Sequence, residues 1–174
     1  MAKIRAQEII LEQNEHGKLY LKNSWLQFNL SHSHELALFA FAYDQAVGID
    51  VEFIRKEFII DDIVKRFFSK REITALFALP KNEQQQAFFN CWARKEAFIK
   101  ALGVGIFYPL DQFDVAVTRS DGSKELHIHD MKEQANNWHL YALNLAENYA
   151  AALVTMGEVR KYDCLLCSGN FSIA

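Results

Sequence analysis

The order of apolar and polar positions changes period twice along the chain. Residues 4 to 46 follow a period of two, the signature of strands. "IILEQ" and "KLYLK" flank "NEHG", which predicts a hairpin with Gly17 available for a positive φ. "WLQFNLS" alternates and sets Leu26, Phe28 and Leu30 on one face. "ELALFAFAY" is apolar on both faces, which predicts a central, fully buried strand. In "AVGIDVE", Val47, Ile49 and Val51 share one face, and Gly48, Asp50 and Glu52 share the other.

Between residues 58 and 102 the period becomes helical. "DDIVKRFF" spaces Ile63, Val64, Phe67 and Phe68 for one face. "SKRE" carries a capping box, Ser69 as cap and Glu72 three positions on. Pro80 interrupts, and "NEQQQAFFNCWARKEAFIKALG" then reads as one long helix ending at Gly103. At 100° per residue, Cys91, Trp92, Phe98, Ile99 and Leu102 form an apolar stripe. Ala93, Ala97 and Ala101 form a second, thin face, with Glu96 and Lys100 between the two. After "GVGIFYPL" the strand pattern returns in "FDVAVTR", "KELHIHD", "WHLYALNL" and "YAAALVTM", the first two joined by the turn sequence "SDGS". Strands, a helical middle and strands again make an α+β fold.

Composition narrows the function classes. Hydrophobic residues are 51%, enough for a packed core, and fourteen Phe point to bulky rings within it. A net charge of −3 argues against general nucleic-acid binding. No secretory h-region and no run of ~18 apolar residues occurs, so a soluble cytoplasmic protein without membrane contact is expected. Cys164 and Cys167 have C-x-x-C spacing, but no second pair exists to complete a zinc site.

Three constellations can carry chemistry. Asp50 and Glu52 aim two carboxylates from one strand face, either a solvated acidic pair or ligands for a hard cation such as Mg²⁺. Glu96 and Lys100 are either a surface i,i+4 pair or a third carboxylate and a cation set between packing surfaces. In "FNLSHS", Asn29, Ser31 and Ser33 share one face, and Leu30, His32 and His34 the other. The hydroxyl, imidazole and free N–H groups there are either structural or a phosphate site.

Together, "FNLSHS", "VGIDVE", "RFFSKRE", "WARKEAFIKALGVGI" and "PLDQFDV" resemble the 4'-phosphopantetheinyl transferases, in the surfactin-synthetase-activating (Sfp-like) branch. The resemblance covers roughly residues 16 to 120. It implies Mg²⁺-dependent transfer of the phosphopantetheine arm of coenzyme A to a serine of an apo acyl or peptidyl carrier protein, with release of adenosine 3',5'-bisphosphate. By the same resemblance, Asp50, Glu52 and Glu96 match metal-binding carboxylates. Lys100 matches a pyrophosphate contact, Lys95 a basic neighbour of the substrates, Ser31 and His32 phosphate contacts, and Lys18 a residue against the nucleotide. Glu96 is the candidate base, and Glu72 its competitor with a structural explanation in the capping box. Lys65, Arg66, Lys70 and Arg71 are candidates for docking an acidic carrier helix.

The branch is pseudo-twofold and longer at its N-terminus, and "GKLYLKN" lacks the proline that often follows G-K. The expected architecture is therefore part of a strand-rich first lobe (residues 1–46), a complete second lobe with an antiparallel sheet packed on a long helix (47–160), and a tail (161–174). A homo-oligomer that completes the nucleotide site is compatible with this layout. The alternatives to a working transferase are a non-catalytic module that binds carrier protein or coenzyme A, and an inactive truncated fragment.

Overall fold

The computed structural model describes residues 5–105, 108–118, 126–129, 137–159, 161 and 163–165. The "SDGS" turn and Cys167 lie outside the described residues. The architecture is α+β. Its order is β1 (Leu11–Gln13), β2 (Leu19–Leu21), β3 (Leu26–Ser33), β4 (Leu36–Tyr43), β5 (Val47–Phe53), α1 (Asp61–Phe67), α2 (Lys70–Phe77), α3 (Lys81–Leu102), β6 (Phe113–Val115), β7 (Leu126–Ile128), β8 (Trp138–Leu143) and β9 (Tyr149–Met156). All strand pairs are antiparallel: β1–β2, β3–β4, β6–β7, and a three-stranded sheet ordered β5–β9–β8.

Local signals set the helices. Ser69 caps α2 with both capping-box bonds made, its hydroxyl accepting from Glu72 N–H and the Glu72 carboxylate accepting from Ser69 N–H. Gly103 ends α3 at φ 74, and its N–H donates to Ile99 O. Phe88, Phe89 and Phe98 of α3 are buried, and Phe88 stacks on Phe68 with centroids 5.6 Å apart.

On its alanine side α3 lies directly against β5. Ala93, Ala97 and Ala101 are buried, and a methyl group placed on Gly48 would stand 2.1 Å from Ala97 O and 2.3 Å from Ala101 N. The small residues on both elements permit this crossing, and the crossing carries Glu96 and Lys100 over the carboxylate face of β5. On the other face, Val47 and Ile49 pack with Leu38, Ala40 and Ala42 of β4 and with Leu143 and Leu153 of the sheet.

The expectation of a fully buried β4 is corrected. Among the described residues this strand pairs with β3 alone, and Phe39, Phe41 and Tyr43 are 62%, 64% and 69% exposed. Their neighbours across the hairpin are Leu30, Phe28 and Leu26, so much of one face of the β3–β4 hairpin is apolar and exposed, with half-buried Phe28 within it and His32 at its end. An apolar pattern on both faces records only that both can be covered; here this chain covers one.

Candidate active site

β5 supplies two carboxylates. Asp50 is buried, and its Oδ1 accepts from Lys100 Nζ at 2.6 Å and from Ser31 Oγ at 2.8 Å. Lys100 Nζ also donates to Ser31 Oγ at 2.9 Å. Asp50 Oδ2 is buried and has no hydrogen-bond partner among the described residues. Burial pushes the Asp50 carboxyl up, and the Lys100 ammonium and the Ser31 hydroxyl pull it back. Glu52 is also pushed up, first by burial and then by Asp50, while Ser33 Oγ donates to its Oε2 at 3.2 Å.

Glu96 joins them from α3. Burial and the charges on Asp50 and Glu52 raise its carboxyl to about 7, with Lys100 opposing. Three carboxylates thus repel one another around a single ammonium. Among the described residues, no group of three His, Cys, Asp or Glu side chains is drawn close enough to hold a metal. Lys100 takes Asp50 Oδ1, and Ser33 engages Glu52 Oε2.

Beside this cluster lies a cavity of about 300 Å³, lined among others by His16, Lys18, Asn29, Lys100 and Gly103. The β1–β2 hairpin, β3 and the end of α3 form its walls. Lys18 reaches it with its ammonium donating to Val47 O and Ala101 O, both at 3.0 Å. Burial lowers the Lys18 ammonium to about 8. Asn14 adds a bond from its amide to Gly103 O at 2.7 Å, so the hairpin clasps the C-terminal end of the helix.

The structure does not bring every expected residue together. Ser31 joins Asp50 and Lys100, but His32 stands on the opposite, exposed face of β3. Lys95 is corrected from a substrate neighbour to an internal clasp. It is wholly buried, pairs with Glu72 Oε1 at 2.8 Å, and donates to Leu110 O and Phe113 O, each at 2.7 Å. Glu72 in turn accepts from Val115 N–H at 2.8 Å, so this buried pair ties α2, α3 and β6 together. That leaves Glu72 fully occupied and away from the Asp50 cluster. Lys65, Arg66, Lys70 and Arg71 are all exposed. Asn29 and Ser33, which carry no role in the sequence reading beyond sharing a face with Ser31, both bond to β5.

Comparison with known proteins bears on family and fold. A family model described as the 4'-phosphopantetheinyl transferase superfamily matches residues 46–154. The 4'-phosphopantetheinyl transferase psf-1 of Bacillus pumilus is 37% identical over 168 residues, 95% of this chain and 70% of that protein. HetI of Nostoc sp. is 38% identical over 134 residues, 77% of this chain and 53% of the relative. Sfp of Bacillus subtilis is 42% identical over 103 residues, 59% of this chain and 44% of the relative. The chain thus spans about half the length of HetI and Sfp. In fold, it is similar to the Bacillus anthracis holo-(acyl-carrier-protein) synthase solved in complex with CoA. That match has a TM-score of 0.51 at 23% identity and covers 64% of this chain and 94% of that one.

Proposed function

The chain belongs to the 4'-phosphopantetheinyl transferase superfamily, and from that premise we propose that it transfers phosphopantetheine from coenzyme A to a carrier-protein serine. The observation that carries this reading is Asp50. A buried carboxylate with one oxygen on Lys100 and the other without a partner among the described residues leaves an oxygen open to a ligand, and a cation satisfies it best. Glu52 and Glu96, both raised by burial first and by the Asp50 charge second, crowd further carboxylates against it.

Mg²⁺ fits this donor set. It binds through one or two carboxylates plus waters and substrate phosphates, so a ready three-carboxylate cage is not required. Asp50 Oδ2 would hold it, with Glu52 and Glu96 as the candidates for the remaining carboxylate position. When bound, it would neutralise charge on the pyrophosphate and on the departing group.

The remaining chemistry falls to the chain's own residues. The serine oxygen forms a bond to the phosphorus that carries the pantetheine arm, and the bond from that phosphorus to the bisphosphate leaving group breaks. Glu96, set between the β5 carboxylates and Lys100, is the group we assign to accept the serine proton, directly or through a water. Lys100 lines the cavity and supplies positive charge beside the pyrophosphate. At about 300 Å³ the cavity accommodates only part of coenzyme A, in keeping with a site for its phosphate region. The exposed cations on α1 and α2 offer a surface for an acidic carrier protein. We assign residues 1–46 to part of a first lobe and 47–160 to the transferase lobe on the same reading, and place the activity in the cytoplasm, where its carrier proteins act.

A second reading, a module that binds coenzyme A or carrier protein without turnover, is favoured by one observation. Lys18 and Lys95, expected near the substrates, are both engaged by backbone carbonyls. The test mixes the chain with coenzyme A, Mg²⁺ and a panel of apo carrier proteins and reads intact mass. Phosphopantetheine addition supports the transferase. Coenzyme A binding by calorimetry with no addition to any carrier supports the binding module.

A further inference from the structure

Among the described residues β5 is an edge strand, paired with β9 on one side. Its outward N–H groups at residues 49, 51 and 53 need acceptors, and an open edge of this kind is a liability unless covered. The covering comes from side chains. Asn29 Oδ1 accepts from Ile49 N–H at 2.8 Å, Ser31 Oγ from Val51 N–H at 3.3 Å, and Ser33 Oγ from Phe53 N–H at 3.0 Å. Each acceptor sits twenty residues before its donor's position, so β3 runs alongside β5 in one fixed register.

The two serines do a second thing. Ser31 Oγ donates to Asp50 Oδ1 and Ser33 Oγ donates to Glu52 Oε2. Each hydroxyl therefore stands between the carboxylate of one β5 residue and the N–H of the next. A hydroxyl has one proton to donate, so with its lone pairs turned to the amide its proton goes to the carboxylate. Asn29 sits on the rung where β5 has Gly48 and no carboxylate to hold, and there an amide oxygen suffices.

We propose that Asn29, Ser31 and Ser33 form a side-chain ladder that stands in for a missing strand on β5, and that Ser33 is a positioning residue aiming Glu52. Ser31 shares its hydroxyl with Lys100, whereas the Ser33 hydroxyl donates to Glu52 and accepts from the Phe53 N–H. Glu52 is only partly buried and is repelled by Asp50, so without Ser33 its carboxylate turns outward. The aiming of Glu52 rests on the reading of these carboxylates as ion ligands; the ladder does not.

Two measurements separate the parts. Amide exchange by NMR reads the ladder: Ser33→Ala speeds exchange at Phe53 and Asn29→Ala at Ile49, each about fivefold for one lost bond, and Ser33→Thr leaves Phe53 slow. Equal rates at Phe53 in the wild type and Ser33→Ala overturn the ladder. Mn²⁺ binding by electron paramagnetic resonance, without coenzyme A, reads the aiming. Ser33→Ala weakens it about fivefold, Ser33→Thr restores it, and Tyr149→Phe, which removes only the bond from the Glu35 N–H to the Tyr149 hydroxyl beside the same end of β3, stays within about twofold of wild type. Equal weakening by Ser33→Ala and Tyr149→Phe shows general loosening and overturns the positioning role. A wild-type chain that takes up no Mn²⁺ overturns the ion assignment and the aiming with it, while the exchange rates still judge the ladder.

Discussion

Gly48→Ala tests whether the crossing of α3 over β5 builds the site. The new methyl would stand 2.1 Å from Ala97 O, 2.3 Å from Ala101 N and 2.8 Å from Ala101 Cα. Ordinary contact begins near 3.4 Å, so the helix must retreat by roughly 1 Å. All three atoms are main chain, and no rotamer change relieves them. Overpacking typically costs about 1–3 kcal/mol, and a clash with backbone belongs at the upper end, about 3 kcal/mol. For a chain of this size that lowers Tm by roughly 6–12 °C. The retreat also lengthens the 2.6 Å contact between Lys100 and Asp50. Urea unfolding gives the stability change, and Gly17→Ala is the control. Gly17 has φ +85 with nothing near a new methyl, so only backbone strain of about 1 kcal/mol applies. A Gly48→Ala variant within about 0.5 kcal/mol of wild type would refute the close crossing.

Other residues give independent checks. Lys95→Met leaves the Glu72 carboxylate buried without its cation and is expected to cost about 3–5 kcal/mol by urea unfolding, whereas the Lys95→Met, Glu72→Met double variant recovers much of it. Glu96 sits at about 7 in the folded chain against 4.5 ordinarily, so the folded state binds the extra proton between those values. The stability it contributes is present below 4.5 and lost as pH rises through 7 in Mg²⁺-free buffer. Urea midpoints across that window should lose this slope in Glu96→Gln and flatten when Mg²⁺ is added. Phe41→Asp, on the open hairpin face, should change stability by less than about 1 kcal/mol, while Phe88→Ala in the core costs about 3–5 kcal/mol.

Elements governed by local rules were legible in the sequence. The Ser69 capping box, the Gly103 cap and the parity of Gly48, Asp50 and Glu52 each depend on neighbours within a few residues. Features made by distant partners were not. β4 reads as buried because its pattern cannot say whether a covering element follows, and Lys18 gives no local sign that it reaches back to the end of α3. Lys95 did leave a signal. On the helical wheel it lies about 60° from Phe98, in the middle of the apolar stripe, which marks it as buried rather than facing substrate. The ladder also left one: Asn29, Ser31 and Ser33 alternate with the same period as Ile49, Val51 and Phe53. Matching the two required knowing that β3 lies along β5.

The central claim is that the Asp50, Glu52, Glu96 and Lys100 cluster performs the transfer. The most direct measurement is the initial rate of phosphopantetheine addition to an apo carrier protein, read by intact mass at saturating Mg²⁺, for the wild type, Asp50→Ala and Glu96→Gln. The account predicts addition by the wild type and loss of most of that rate in each variant. Near-wild-type rates in either variant, or no addition by the wild type to any carrier that a full-length relative modifies in parallel, would contradict it.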